Sequence, residues 1–285
     1  MAAVRVVCGG SSDVGQVRAN NEDAYRIVDE LRLYVLSDGM GGEAHGEVAS
    51  AIAVQTVTEH CAQLIQAAPG SARPANGNGK SAVDAGSNGE SSERAIMLES
   101  AVRLANKKIF WSAEKNPAQK GMGATLTAAW IDGQKLTLAH VGDSRVYLLR
   151  GGDLHQLTSD HSLVAEQVRR GIITPAEAEK SDMQSVLLRA LGAQLEVEVE
   201  TGEQGLMARD VLLLCSDGLT RMVSDVEIAG ALQAEGNPQK AAENLVALAN
   251  ENGGADNVTV IVLRLEAEKK NWLSWLWGGA GKNGK

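Results

Sequence analysis

A chain of 285 residues, 44% of them hydrophobic, has the material for a substantial core in one large or two ordinary domains. Its 36 acidic against 27 basic side chains leave a formal charge of −9, which excludes nucleic-acid binding by bulk neutralisation of a phosphate backbone. The opening Met1-Ala2-Ala3-Val4-Arg5-Val6 lacks a signal-peptide apolar stretch, no apolar run approaches the roughly 20 residues of a membrane span, and Cys8, Cys61 and Cys215 are too few and too scattered for a disulfide framework or zinc cage, so a cytoplasmic location is expected.

Residues 5–8 read as a first strand, followed by a polar loop from Gly15 to Ala24 that is dense in charge. The apolar run Leu33-Tyr34-Val35-Leu36 then stops abruptly at Ser37-Asp38-Gly39-Met40-Gly41-Gly42, a pattern that predicts a strand covered on both faces delivering Asp38 to a cleft. Val54, Val57, Cys61, Leu64 and Ile65 recur at helical spacing across residues 48–65, with Glu43 and Glu47 near the start, where acid is favoured.

Residues 67–92 break this pattern, being rich in Gly, Ala, Asn and Ser with Pro69 and Pro74; they read as a flexible insertion within one domain. Helical periodicity resumes at Leu98, Val102, Ala105 and Ile109, an antiparallel partner for the first helix. Strands follow at 125–131, 135–141, 145–149 and 154–157, with hairpin signals at Asp132-Gly133 and Gly151-Gly152. Residues 160–191 read instead as short helices forming a flap, and Thr174-Pro175-Ala176-Glu177 has the order of a capping box with proline at the first helical position.

A strand at 197–201 precedes a second apolar run, Val211-Leu212-Leu213-Leu214, which again ends in Ser-Asp-Gly at Ser216-Asp217-Gly218. Ser224-Asp225-Val226-Glu227 and Asn237-Pro238 each open a helix, and Asp256-Asn257 leads into a last strand at 258–265. Residues 1–266 therefore read as one domain. The remaining 267–285 form a tail in which Trp272, Trp275 and Trp277 follow Lys269 and Lys270, suiting either a segment folded back on the body or a peripheral membrane anchor.

Asp23, Asp38, Asp143, Asp217 and Asp256 each sit where a strand meets a polar loop, so distant parts of the chain can converge on one cleft. Any one of them alone would be a solvated surface acid. Oxygen donors without Cys or His select hard cations, which points to Mn²⁺ or Mg²⁺ over Zn²⁺.

Six segments in order carry a family resemblance: Gly15 to Ala24 with Arg18, Glu22 and Asp23; Ser37 to Gly42; Gly121-Met122-Gly123-Ala124-Thr125; Val141-Gly142-Asp143-Ser144-Arg145; Ser216-Asp217-Gly218; and Asp256-Asn257-Val258-Thr259. Across residues 5–265 the chain resembles the bacterial form of the PPM or PP2C-type metal-dependent serine/threonine protein phosphatases. That resemblance implies an α+β fold, a four-layer α-β-β-α sandwich of two antiparallel sheets flanked by helix pairs, with the metal site in the cleft at one end.

It implies further that Asp38 bridges two Mn²⁺ or Mg²⁺ ions, that the Gly39 carbonyl ligates one, and that Asp217 and Asp256 complete the pair. Glu22 and Asp23 match residues that hold metal-bound waters, Asp143 a ligand of a third, weaker site shared with Asp217, and Arg18 the residue that binds the substrate phosphate. The implied activity is hydrolysis of phosphoserine and phosphothreonine by a hydroxide bridging the metals. The expected partners are phosphorylated proteins and an opposing bacterial Ser/Thr kinase, met by a monomer.

Met40 departs from relatives that carry a His after the Asp-Gly, which makes His45 a candidate for protonating the leaving group. His140 reads as a core strand residue, and His60, His155 and His161 as surface residues. A catalytically silent phosphoprotein-binding relative is the alternative, and the intact aspartate set argues against it. An ATP-binding regulator, suggested by Asp38 to Gly41, would need a metal-binding Asn helix upstream that the sequence lacks.

Overall fold

The structure is a computed structural model that describes residues 4–41, 45–67 and 92–267; the expected insertion, apart from its two ends, and the tail beyond Ala267 lie outside the described residues. In chain order, strands β1 (Val4–Asp13), β2 (Asp23–Val28) and β3 (Leu33–Met40) lead to helices α1 (Gly46–Ala67) and α2 (Glu93–Lys115). Strands β4 (Gly123–Ala124), β5 (Leu126–Asp132), β6 (Lys135–Val141), β7 (Arg145–Arg150) and β8 (Asp153–Gln156) come next. The short helices α3 (Leu163–Arg169) and α4 (Pro175–Ala178) precede β9 (Glu200–Gly205) and β10 (Val211–Cys215), and α5 (Asp217–Thr220), α6 (Asp225–Ala234), α7 (Pro238–Glu251) and β11 (Val258–Ala267) complete the order.

One antiparallel sheet runs β1-β11-β10-β7-β8, the other β2-β3-β5-β6-β9 with β4 paired to the end of β3. Alternation along the strands explains why both sheets are covered twice. Leu33 and Val35 of β3 face the α1–α2 layer, whereas Tyr34 and Leu36 face the space between the sheets. In β10 the same alternation sends Val211 and Leu213 toward the α6–α7 layer, and Leu212 and Leu214 toward the other sheet. Three apolar layers result, which is the four-layer α-β-β-α sandwich expected. Each fully buried aliphatic side chain contributes about 1.5–3 kcal/mol, so these layers dominate the stability.

The Thr174 and Ser224 capping boxes both form. Other expectations need correction. β1 extends to Asp13 because Gly9, Gly10 and Ser11, which carry no apolar pattern, still pair with the full length of β11. β2 begins at Asp23, inside the stretch read as a polar loop, and its register places Asp23 directly opposite Asp38. The strand expected at 197–201 lies at Glu200–Gly205 instead, since Val197 belongs to the helix-side core and the strand itself is a polar sheet edge. Asp217 does not end a strand; it begins α5.

Candidate active site

Antiparallel pairing brings the end of β3, the start of β2, the turn after β6, the start of α5 and the approach to β11 to one end of the sandwich. Around Asp38 the scaffold is a closed set of hydrogen bonds. The Asp38 amide donates to Thr125 Oγ1 at 2.9 Å, the Thr125 amide donates to the Asp38 carbonyl at 2.8 Å, and Ser37 Oγ donates to the Thr125 carbonyl at 2.6 Å. Thr125 Oγ1 also meets Ser144 Oγ at 2.8 Å, which ties the Asp143 turn to the same point.

The other sheet is held to this scaffold by Ser216, whose Oγ donates to Asp23 Oδ2 at 2.8 Å and accepts from the Thr259 amide at 2.9 Å. Asn257 organises the loop that carries Arg18. Its Nδ2 donates to the carbonyls of Val14 and Asn20, both at 2.9 Å, and its Oδ1 accepts from the Glu22 amide at 2.8 Å. Arg145 grips Asp160, the first residue of the flap, through bonds of 2.7–3.1 Å.

These supports frame a cleft of about 570 Å³ lined by Arg18, Glu22, Asp38, Gly39, Met40, Thr125, Asp143, Asp217, Arg221, Asp256 and Asn257, with Ser185 and Leu187 of the flap at its side. Every residue expected to hold metal, water or phosphate lines it except Asp23, which pairs opposite Asp38 across β2 and β3 and is braced by Ser216. His45 is not among the lining residues, and its Nδ1 faces Glu47 Oε1 at 3.1 Å.

The electrostatics are those of a buried acid cluster. Burial pushes Asp38 well above the ordinary carboxylate range, and Asp23, Asp217, Asp143 and Asp256 push it further. Burial likewise raises Asp23 and Asp143 to about 7, each with Asp217 adding to the rise, and it raises Asp217 itself. Asp23 Oδ1 and Asp217 Oδ1 are buried without a hydrogen-bond partner. A hard divalent cation fits this donor set, because buried, unpartnered carboxylate oxygens are costly until a cation meets them.

Among the described residues, however, no three acid, His or Cys side chains form a closed cage. Guanidinium groups hold two of the acids instead: Arg18 meets Asp256 at 2.8 Å, and Arg221 meets Asp217 at 2.5 Å and Asp256 at 3.9 Å.

Arg221 escaped the sequence reading. Its signal was the spacing of four from Asp217, which becomes meaningful only once α5 is known to start there. His161 is corrected from surface to core: it is buried, its Nδ1 accepts from the Gly142 amide at 3.1 Å, and its Nε2 faces Glu200 Oε2 at 3.2 Å. His140 is buried as expected, with Nδ1 on Thr127 Oγ1 at 2.9 Å, and burial holds it down to about 4, hence neutral. The three cysteines are free, and burial pushes each thiol up to about 12, so none is a reactive thiolate.

Two antiparallel sheets with outer helix pairs and an acid-lined cleft at one end define the protein phosphatase 2C class. Residues 15–248 match the model of that family, described as Protein phosphatase 2C, and the chain belongs to it. The serine/threonine phosphatase stp of Listeria welshimeri is 34% identical over 265 residues, covering 91% of this chain and 96% of that one. The serine/threonine protein phosphatase PstP of Mycobacterium tuberculosis is 41% identical over 264 residues, 92% of this chain but 46% of PstP, so the chain spans about half the length of that relative. The crystal structure of the PstP catalytic domain in complex with 2 manganese ions superposes with a TM-score of 0.75 at 39% identity, covering 93% and 99% of the two chains. Stp1 from Staphylococcus aureus gives a TM-score of 0.77 at 32% identity, covering 92% and 96%.

Proposed function

We propose that this chain is a divalent-cation-dependent phosphatase that removes phosphate from phosphoserine and phosphothreonine in proteins. The observation that carries the reading is the convergence of Asp38, Asp143, Asp217 and Asp256 with Arg18 in one cleft. Asp38, the Gly39 carbonyl, Asp217 and Asp256 would hold a pair of Mn²⁺ or Mg²⁺ ions, and Asp143 with Asp217 a third. Such ions, when bound, acidify water and offset charge on a phosphoryl group.

The chain's own residues supply the rest. Arg18, with its side chain 54% exposed at the cleft, can turn from Asp256 to a phosphate and grip it with two parallel hydrogen bonds. Glu22 and Asp23 orient water beside the ligands. No histidine lines the cleft among the described residues. Ser185 and Leu187 bring the flap to the side of the cleft, where it would meet the substrate's protein portion.

The partners consistent with this chemistry are phosphoproteins and an opposing Ser/Thr kinase, met by a monomeric domain spanning residues 1–266 in the cytoplasm. Among the described residues no helix is long and apolar enough to cross a membrane. The membrane anchor expected in the tail lies outside those residues.

The test is hydrolysis of p-nitrophenyl phosphate and of a phosphothreonine peptide after chelation, with and without added Mn²⁺. Activity that Mn²⁺ restores supports the reading. Absence of hydrolysis at saturating Mn²⁺ overturns it.

A further inference from the structure

The cleft already contains cations of its own, and they are unequal. Arg18 lies at the mouth with its side chain 54% exposed, whereas the Arg221 side chain is 26% exposed and sits deeper, against Asp217. The backbone enforces the deeper pair. The Arg221 amide donates to the Asp217 carbonyl at 2.9 Å, so the helical turn itself sets the spacing that brings the guanidinium to Asp217 Oδ2 at 2.5 Å. A second carboxylate, Asp256, lies 3.9 Å from the other terminal nitrogen, Nη1, of the same guanidinium. Asp38, by contrast, takes part in no ion pair among the described residues.

We propose that Arg221 is a built-in counter-ion of the cation site, neutralising Asp217 and Asp256 when no divalent ion is bound and competing with the ion for them. This rests on the reading of the cleft as a cation site. Asp217 has one oxygen on Arg221 and the other, Oδ1, buried without a partner. An ion arriving at Oδ1 meets a positive charge across the same carboxylate, so either the guanidinium swings away or the ion binds against its repulsion. In both cases the site binds the ion more weakly than its acids alone would. The same pairing lowers the cost of burying Asp217 while the site is empty. Arg221 thereby trades ion affinity for an empty state that stays folded, and it sets the ion concentration at which the cleft fills.

The experiment is calorimetric titration of Mn²⁺ into the full chain stripped by chelation, for wild type, Arg221→Gln and Arg221→Lys, with thermal melts of the stripped proteins. Removing a unit charge beside a divalent ion should tighten Mn²⁺ binding in Arg221→Gln by about tenfold or more, even with partial solvent screening. The stripped Arg221→Gln protein should melt below wild type. Arg221→Lys keeps the charge and should stay within about threefold of wild type in affinity. Tighter binding together with a lower melting point is a pair of changes that general structural damage does not produce.

Equal or weaker Mn²⁺ affinity in folded Arg221→Gln overturns the proposal, as does an Arg221→Lys variant that binds as tightly as the Gln variant. If wild type binds Mn²⁺ and Arg221→Gln binds no tighter, the counter-ion role alone falls. If wild type takes up no Mn²⁺, the reading of the cleft falls and the proposal with it.

Discussion

The tripeptide Ser-Asp-Gly occurs twice, at Ser37-Asp38-Gly39 on one sheet and at Ser216-Asp217-Gly218 on the other, and the two copies do the same mechanical work under different electrostatics. Each glycine is required by another backbone. A Cβ on Gly39 would lie 2.2 Å from the Gly46 carbonyl oxygen, and one on Gly218 would lie 2.0 Å from that of Asn257. Each serine hydroxyl is a brace, Ser37 to the Thr125 carbonyl and Ser216 to Asp23. The aspartates differ. Asp38 stays in its strand among other acids, with no cation, whereas Asp217 opens a helix that returns Arg221 to it. Of the two, Asp38 is therefore the carboxylate that has no guanidinium to offset its charge, and it is where the ion-dependent chemistry should be more sensitive.

Replacing that residue is the sharpest way to break the comparison. Asp38→Ala should lose about a thousandfold or more in Mn²⁺-dependent hydrolysis, on the several kcal/mol that ion-held charge stabilisation supplies. Excess Mn²⁺ should not restore it. Steady-state assays with chelator controls decide this, and wild-type, chelator-sensitive activity in the variant would show that other residues carry the site.

Asp143→Ala should cost less. It is proposed to serve only the third ion, so the loss should fall on kcat with KM little changed, if that ion acts on the transition state and not on bound substrate. A loss confined to KM would move Asp143 to substrate binding.

The glycines test the mechanical half of the comparison. Gly39→Ala and Gly218→Ala each drive a methyl into a neighbouring carbonyl, and the backbone must shift at a cost of about 1–3 kcal/mol each. Because the clashes at 2.2 and 2.0 Å are alike, the two variants should lose similar melting temperature. A glycine that tolerates alanine would show that its neighbouring loop yields easily.

The features legible in the sequence were those with apolar repetition or turn chemistry. Leu33 to Leu36 and Val211 to Leu214 announced buried strands, and Gly151-Gly152, with φ of +64° and +107°, announced a hairpin. The candidate site was legible because Asp38, Asp143, Asp217 and Asp256 each followed such a strand or preceded one. What escaped were the edge strands: β9, Glu200–Gly205, is polar and is held by the strand beside it, and β2, Asp23–Val28, is a short run entered from a charged loop. His161 escaped because its burial comes from the flap's base closing over Gly142, a contact made by tertiary structure alone. Arg221 escaped because a charged residue four places from an acid means nothing until the turn between them is known to be helical.

The smallest expected effect is on the stability of the ion-free protein, and it separates the two aspartates by size. Asp38 is held above its ordinary range by burial and by its acidic neighbours, so the folded chain keeps a proton there that the unfolded chain has released. A carboxylate raised in the folded state makes stability fall as pH climbs from the unfolded value, about 4, upward through the folded one. With Asp23 and Asp143 raised to about 7, the stripped protein should lose stability between about pH 4 and about pH 7 and stay low above that. Asp38→Asn removes one of these charges and should melt a few degrees above stripped wild type at pH 8, with the gap closing toward pH 4. Asp217 is raised as well, so Asp217→Asn should gain in the same direction, but by less, because it strips Arg221 of its nearest partner and leaves that guanidinium 3.9 Å from Asp256. Thermal melts of both variants in chelator from pH 4.5 to 8 make the comparison directly. If Asp217→Asn stabilises the stripped protein as much as Asp38→Asn does, the two Ser-Asp-Gly segments are electrostatically equivalent and the Arg221 pair contributes nothing to the ion-free fold.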